Sequence, residues 1–161
     1  MTDFSHLDDK HQPRMVDINH KPATLRFAHA RARVWLGEEL IDKISQRELH
    51  TAKGAVFQTA IIAGTMAAKR THELIPFCHQ LLLEDCQITI EAASQGEIHI
   101  HTKVKLKANT GAEMEAMTAA SVAALTVYDM CKSANKGIAI KEIVLLEKSG
   151  GKSHYIRIEG Q

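Results

Sequence analysis

The order of strand-like and helix-like segments predicts an α+β fold in which an antiparallel sheet carries two helices on one face. Two segments on either side of a short polar turn alternate apolar and polar residues, which is the pattern of a β-hairpin with one buried face. Residues 55–74 repeat their apolar side chains with the 3.6-residue period of a helix. Residues 111–132 form a long run rich in small residues that is also typical of a helix.

The first half of the chain predicts one strand followed by two helices. Residues 26–36 alternate and form the first strand, and residues 38–46 form a short helix. The positions of this short helix that face inward are Leu40, Ile41 and Ile44. The longer helix at 55–74 is rich in alanine, and Gly64 in its middle favours close packing against another backbone. Pro76 ends this helical region.

The second half predicts the hairpin, the long helix and two closing strands. The hairpin turns at residues 94–96, and its second strand alternates strictly. The apolar face of that strand is Ile98, Ile100, Thr102, Val104 and Leu106, and the polar face is His99, His101, Lys103, Lys105 and Lys107. Residues 135–137 stop the long helix, and residues 143–146 and 154–158 form the last strands. This order, βαββαβ plus an extra strand, is that of a ferredoxin-like sandwich.

Composition and charge exclude several classes of protein. The chain has 161 residues, of which 45% are hydrophobic and 24% charged, and these values fit one domain with its own core. The net charge of +1 and the aromatic content of 4% disfavour nucleic-acid binding, which uses basic surfaces and stacking side chains. No apolar run approaches the roughly 20 residues of a membrane span. We therefore expect neither a nucleic acid nor a membrane as partner.

We expect one catalytic domain over residues 1–161, of which residues 1–24 are loosely ordered. This first segment is polar, acidic and interrupted by prolines, and it lacks the features of a signal or transit peptide. The three cysteines of the chain, Cys78, Cys86 and Cys131, also bear on its location, because they show no CxxC spacing. An odd number of cysteines without an export signal indicates reduced thiols. These observations predict a cytoplasmic protein.

Charged residues lie at both ends of the long helix. Glu113 and Glu115 are near its start, and Asp129 and Lys132 follow an apolar run near its end. The i, i+3 spacing places Asp129 and Lys132 on one face. On spacing alone, a solvated surface ion pair is the more economical interpretation, because such pairs are common. A helix that only filled a core, however, would not need this pair.

Three further motifs leave a functional interpretation open. The glycine turn at 149–153 lacks the first glycine of a P-loop, but its amides, Lys148 and Lys152 could hold phosphate oxygens. Lys53 precedes a helix, where free amide groups suit a phosphate. Cys78 and His79 follow a proline on a loop; as neighbours they face apart, which argues against a nucleophilic pair.

His99 and His101 alternate on one strand, so their side chains share a face and could bind a metal ion. The sequence offers no third ligand at a suitable spacing. Because three lysines follow on the same face, we prefer a solvated strand surface and predict no metal site.

Six motifs occur in a fixed order along the chain. They are MVD (15–17), KG (53–54), AAKRT (67–71), LIPFCH (74–79), EMEAMTAASVAALTVYDMCK (113–132) and KSGGKS (148–153). Together they resemble the molybdenum cofactor biosynthesis protein C family of cyclic pyranopterin monophosphate synthases. The resemblance runs from Met15 to the last strand, and residues 113–132 are its most specific part. One departure is Gln80, where the family usually has proline after Cys-His.

The resemblance implies an enzyme of molybdenum cofactor biosynthesis, a phosphorus–oxygen lyase. Such an enzyme converts 3′,8-cyclo-7,8-dihydro-GTP to cyclic pyranopterin monophosphate and pyrophosphate by acid–base catalysis. No organic cofactor is implied, and whether Mg²⁺ accompanies the triphosphate is left open. The resemblance also implies a homohexamer, a trimer of dimers, with its sites at subunit interfaces.

The resemblance assigns roles to individual residues. Asp129 and Lys132 match the catalytic pair, and Lys53 joins them. Glu115 can accept two parallel hydrogen bonds from the N–H and NH₂ edge of a guanine. The remaining substrate-binding positions are Phe77, Cys78, His79, Glu113, Met114 and Lys148.

Helix geometry adds one inference of its own. At about 1.5 Å per residue, Glu115 and Asp129 are about 21 Å apart along one helix. A site that uses both therefore needs the helix start of one subunit near the helix end of another. The alternative function is a non-catalytic oligomeric protein that binds a guanine nucleotide; the Asp129–Lys132 pair favours catalysis, because binding alone would not need it.

Overall fold

Strands and helices follow one another in a computed structural model that describes residues 12–158. The elements are β1 (Thr24–Trp35), α1 (Glu38–Ile41), β2 (His50–Thr51), β3 (Gly54–Ala55), α2 (Val56–Lys69), α3 (Thr71–Leu74), β4 (Asp85–Ala92), β5 (Glu97–Ala108), α4 (Glu113–Cys131), β6 (Ala139–Ser149) and β7 (Tyr155–Ile156). Among these described helices, none is long and apolar enough to cross a membrane. Part of the segment expected to be loosely ordered, residues 1–11, lies outside the described residues.

A five-stranded antiparallel sheet in the order β4–β5–β1–β6–β7 forms one layer. The strand β1 is central because β5 pairs with it over its whole length, from Thr24 opposite Ala108 to Trp35 opposite Glu97, and β6 pairs on its other side. The helices α2 and α4 pack on the same sheet. This arrangement confirms the predicted ferredoxin-like sandwich, with β7 as the extra strand.

Small side chains on β1 let α4 lie close to the sheet. Ala28, Ala30 and Ala32 are fully buried on the helix side, and the apolar face predicted for β5 is buried beside them. Thr102, the one polar residue of that face, donates its hydroxyl to the carbonyl of Ala116 on α4 at 2.7 Å. The alternation in the sequence therefore identified the buried face of the hairpin correctly.

Gly64 lies where α2 packs closely against α4, as its position in the sequence predicts. A Cβ at this residue would lie 2.9 Å from the backbone carbonyl oxygen of Ala119 and 2.7 Å from the side chain of Ile88. Backbone cannot give way as a flexible side chain can, so only glycine allows the two helices to pack at this distance.

Two predicted helices are shorter in the structure. The helix expected at 38–46 ends at Ile41, and the chain then turns through Gln46 and Arg47, whose φ angles are 50° and 64°. The helix expected at 55–74 is interrupted at Arg70, whose amide bonds to the carbonyl of Ala67. The hydroxyl of Thr71 also donates to that carbonyl and competes with the helical hydrogen bond.

The buried carboxylate of Glu48 caps the N-terminus of α2. It accepts hydrogen bonds from the amides of Leu49, Phe57 and Gln58 at 2.8, 2.7 and 3.1 Å. The expectation that free amides at this helix start hold a phosphate beside Lys53 is therefore wrong, because the amides of Phe57 and Gln58 already donate to Glu48. A negative charge at this position also interacts favourably with the positive end of the helix dipole.

Replacing Glu48 by alanine is expected to destabilise the fold by about 1–3 kcal/mol, because buried amide groups lose their acceptor. Urea unfolding at neutral pH measures this change. Glu39→Ala is the matched control, since Glu39 is an exposed glutamate whose partner is Lys43 at 2.8 Å. An equal effect of both substitutions on the unfolding midpoint would contradict the capping role of Glu48.

Candidate active site

The predicted site residues form two groups at opposite ends of α4. Glu113, Met114 and Glu115 begin the helix beside the loop that carries Phe77, Cys78 and His79. Asp129 and Lys132 end it beside Lys53, which lies in the turn between β2 and β3. Lys148, at the end of β6, belongs to the first group through its contact with Glu113.

A lysine–aspartate cluster of Lys53, Asp129 and Lys132 occupies the end of α4. The ammonium of Lys132 lies 2.8 Å from Oδ1 of Asp129, and that of Lys53 lies 2.7 Å from Oδ2. Lys53 also donates to the backbone carbonyl of Asp129 at 3.0 Å. The i, i+3 pair seen in the sequence is thus one part of a three-group cluster, whose second lysine comes from 76 residues away.

The cluster fixes the charges of Asp129 and Lys132. Hydrogen bonds from Lys132 and Lys53 lower the pKa of Asp129 to about 2, and Asp129 in turn raises the pKa of Lys132. At neutral pH, Asp129 is therefore a carboxylate and Lys132 an ammonium. All three side chains are about half exposed, so a ligand or a second chain can reach them. Such a group can donate a proton from either lysine and can hold the anion that results.

A cavity of about 390 Å³ opens at the start of α4. We call it the α4-start cavity. The residues that line it are Val16, Ile18, Lys21, Phe77, Cys78, His79, Leu81, Thr110, Gly111, Glu113, Met114 and Glu115. The loop is shaped by a turn in which the amide of Cys78 donates to the carbonyl of Ile75 at 3.0 Å, with Pro76 at the position where its fixed φ favours a turn. The structure thus brings six of the seven predicted residues of this group into one cavity, and the seventh, Lys148, contacts Glu113.

Glu115 is the buried acid of the α4-start cavity, with 3% of its surface exposed. Burial raises its pKa to about 7, and the negative charge of Glu113 adds to the effect. The group is therefore poised between its two protonation states at neutral pH. As a carboxylate it can accept two hydrogen bonds, and as an acid it can donate one.

His79 is anchored by the segment that precedes β1. Its Nε2 lies 2.8 Å from the carbonyl oxygen of Val16. Because a carbonyl only accepts, Nε2 carries a proton and donates it to Val16, and Nδ1 is the ring nitrogen that this contact leaves unused. This contact holds the ring in place.

Cys78 is a thiol rather than a thiolate in this cavity. Burial raises its pKa, and the charge of Glu115 raises it further. A thiol with a raised pKa is a poor nucleophile. This finding agrees with the expectation, drawn from the sequence, that Cys78 and His79 do not form a nucleophilic pair.

A second cavity of about 410 Å³ surrounds the glycine turn after β6. Lys21 and Glu113 line both cavities, so the two are neighbours, and Lys148 contacts Glu113 at 2.8 Å between them. A Cβ on Gly150, whose φ is 88°, would overlap the carbonyl oxygen of Leu25, so the turn requires glycine there. Four basic side chains line this second, glycine-turn cavity: Lys21, Arg26, Lys148 and Lys152.

Sequence reasoning missed Lys21 and Arg26. Lys21 falls in the segment expected to be loosely ordered, yet the side-chain amide of Asn109 donates to its carbonyl at 2.7 Å and holds it in place. Arg26 is one residue of an alternating strand, and its Nε donates to the carbonyl of Ala108 at 3.1 Å. Neither contact has a signal in the sequence beyond the positive charge itself.

Comparison with known proteins identifies the family. A family model described as the MoaC family matches residues 15–151. Two relatives named cyclic pyranopterin monophosphate synthase, from Bacillus thuringiensis subsp. konkukian (strain 97-27) and Bacillus cereus (strain B4264), are each 49% identical over 156 residues. Each alignment covers 95% of this chain and 96% of the relative. The chain therefore belongs to the MoaC family.

Proposed function

We propose that this protein is a cyclic pyranopterin monophosphate synthase, a phosphorus–oxygen lyase of the cytoplasm. It converts 3′,8-cyclo-7,8-dihydro-GTP to cyclic pyranopterin monophosphate and pyrophosphate in molybdenum cofactor biosynthesis. Beyond family membership, the observation that carries the proposal is the lysine–aspartate cluster, in which two ammonium groups share one exposed carboxylate. A protein that only bound a guanine nucleotide would have no use for such a cluster.

The α4-start cavity suits the base of this substrate. In its ionised form, Glu115 would accept the ring N–H and the amino group of the guanine edge, a match that fixes the orientation of the base. Backbone groups of Phe77, Cys78 and Met114 would complete the pocket, and Phe77 and Met114 are partly exposed at it. His79 would offer Nδ1, whose lone pair can accept a proton from the substrate.

The glycine-turn cavity suits the triphosphate. The net charge of the chain is only +1, so attraction of a highly charged anion must come from a few converging groups. Lys21, Arg26, Lys148 and Lys152 supply them beside the base pocket. Any Mg²⁺ would arrive with the triphosphate, because Glu113, the acid that both cavities share, is paired with Lys148. The reaction needs no organic cofactor, since it moves protons and a phosphoryl bond but no electrons.

The lysine–aspartate cluster would supply the proton transfers. Opening the guanine ring, re-closing it as a pterin and forming the cyclic phosphate each require a proton to leave one atom and reach another. Lys132 and Lys53 would donate protons to departing nitrogen or oxygen atoms. Asp129 would hold both ammonium groups in position and stabilise their charge until the substrate arrives.

Two copies of the chain would build each site. The α4-start cavity and the lysine–aspartate cluster lie at opposite ends of a 19-residue helix, which corresponds to about 21 Å between Glu115 and Asp129. Exposed apolar side chains on the outer faces of α2 and α4, namely Ile62, Met66 and Leu125, are the kind of surface that subunit contacts cover. We propose a homohexamer, a trimer of dimers, in which the helix end of one subunit meets the cavity of another.

Purified protein incubated with 3′,8-cyclo-7,8-dihydro-GTP is expected to release pyrophosphate and a product that becomes a fluorescent pterin on oxidation. In the same assay, Asp129→Asn should lower turnover by about 100-fold or more while leaving the fold intact, because asparagine cannot hold two ammonium groups. Glu39→Gln is the matched control, since Glu39 also pairs with a lysine on a helix surface at 2.8 Å. Turnover by Asp129→Asn equal to that of the control would remove the catalytic role.

Substrate binding is expected to release a proton near pH 6. The free protein holds Glu115 with a pKa raised to about 7, so its carboxyl is protonated below that pH, whereas the guanine edge requires the carboxylate. Affinity should therefore rise with pH until about 7 and then level off. Calorimetric titration of the Asp129→Asn protein in two buffers of different ionisation enthalpy counts the protons without turnover.

Adding Glu115→Gln to the same background is the control for this titration, because glutamine does not titrate. The proton release that remains in this variant comes from the triphosphate. If the release is unchanged by the substitution, Glu115 does not meet the base as a carboxylate.

Co-expression of two inactive chains is expected to restore activity if sites are shared. In oligomers that contain Glu115→Gln and Asp129→Asn chains at random, about one quarter of composite sites inherit neither defect. The matched control combines wild-type chains with the double variant, for which the shared-site arrangement also predicts about one quarter. Sites contained within one chain would instead give no activity in the first mixture and about half in the control.

A further inference from the structure

The face of the sheet that points away from the helices carries a group of potential metal ligands. Within residues 12–158, Glu91, His99 and His101 are the trio of such side chains whose ligand atoms all lie within 4.8 Å of one another. They lie on β4 and β5, on the side of the sheet opposite to the buried face. None of them lines either cavity of the proposed active site.

Strand geometry explains why the three side chains meet. His99 and His101 are two residues apart on β5, so both point to the same face. Glu91 on β4 is directly opposite His99 in the register of the hairpin, which places their Cβ atoms about 5 Å apart. The third ligand that the sequence did not offer is therefore supplied by the neighbouring strand.

The separations suit a tetrahedral ion after a small rearrangement. Zinc bonds of about 2.0–2.1 Å place neighbouring ligand atoms about 3.3 Å apart. Oε1 of Glu91 already lies 3.6 Å from Nε2 of His101. The side chain of Glu91 is 66% exposed, so it can rotate to close the remaining gaps, whereas the side chains of His99 and His101 are only 26% and 21% exposed.

His29 on β1 supports the orientation of His101. Its Nε2 lies 3.0 Å from Nδ1 of His101, on the side of the ring away from Glu91. If Nε2 of His101 binds a metal, Nδ1 must carry the proton and donate it to His29, which fixes the tautomer. His29 is itself opposite Glu147 in the register of β1 and β6. Hydrogen-bonded support of this kind is characteristic of histidine ligands to zinc.

Neighbouring charges leave Glu91 as the carboxylate for this group. Glu97 on the same face is occupied by Arg33 and Lys141, each at 2.9 Å. Arg31 contacts Glu142 at 3.2 Å, which offsets a positive charge that would otherwise disfavour a cation. Glu91 instead faces His101, whose Nε2 lies 3.6 Å from its Oε1.

We propose that Glu91, His99 and His101 form a binding site for a zinc-type divalent ion, with His29 as a positioning residue. Two neutral imidazoles and one carboxylate are a ligand set that zinc accepts, with water in the fourth position. Because the ligands come from both strands of the hairpin, a bound ion would cross-link the edge strand β4 to β5. The site stands independently of the proposed synthase reaction.

Cobalt(II), whose visible absorption becomes intense in tetrahedral coordination, is the probe for this site in the full chain. We expect one Co²⁺ per chain, displaced by stoichiometric Zn²⁺, and a melting temperature that rises with added Zn²⁺. His101→Gln and Glu91→Gln should abolish the intense spectrum. His29→Gln should weaken the affinity by about 10–100-fold without abolishing it, as loss of a supporting hydrogen bond does.

His72→Gln is the matched control, because this histidine lies on α3 away from the sheet face and should leave binding unchanged. Circular dichroism determines whether His101→Gln folds. Because Glu91 is largely exposed, Glu91→Gln reports on the site even if His101→Gln does not fold. Absence of stoichiometric Co²⁺ or Zn²⁺ binding by the wild-type chain overturns the proposal. Binding that persists undiminished in Glu91→Gln and in folded His101→Gln overturns it equally.

Discussion

Close packing of α4 against both the sheet and α2 is the constraint on which the rest of the structure depends. Alanines on β1 and Gly64 on α2 let the helix approach so closely that its own alanines, Ala116, Ala119, Ala120, Ala123 and Ala124, are fully buried. A helix held this way cannot bend or slide without overlap of backbone atoms. Its length therefore sets a fixed distance between the acidic residues at its two ends, and the proposed site, which uses both ends, would need a second chain.

The two ends of α4 place carboxyl groups in opposite environments. Glu115 is buried at the helix start, where loss of solvent raises its pKa to about 7. Asp129 is exposed at the helix end, where two lysines lower its pKa to about 2. When their environments move the pKa values of two acids in opposite directions, the two acids commonly take different chemical roles. This difference supports base recognition by Glu115 and proton transfer around Asp129.

The sheet separates surfaces with different chemistry because its strands alternate. The buried face meets α2 and α4 and is almost entirely apolar, whereas the opposite face carries ion pairs around Glu97 and the histidine group. The ends of the strands form a third surface, where the glycine turn after β6 approaches β1 and leaves a basic cavity. The ends of the strands thus position the side chains proposed to bind the triphosphate, and the polar face of the sheet takes no part in that site.

The sequence by itself determined the fold class, the buried face of β5 and the long helix, and through resemblance to a family it predicted the site residues. Only the tertiary structure decided that the ammonium of Lys53 contacts the carboxylate of Asp129, that Lys21 and Arg26 line a cavity, and that Glu48 caps α2. The reason is physical: periodicity records which side of its own element a residue faces, and short motifs record local chemistry. Neither records which distant elements meet, because that depends on strand register and helix packing across the whole chain.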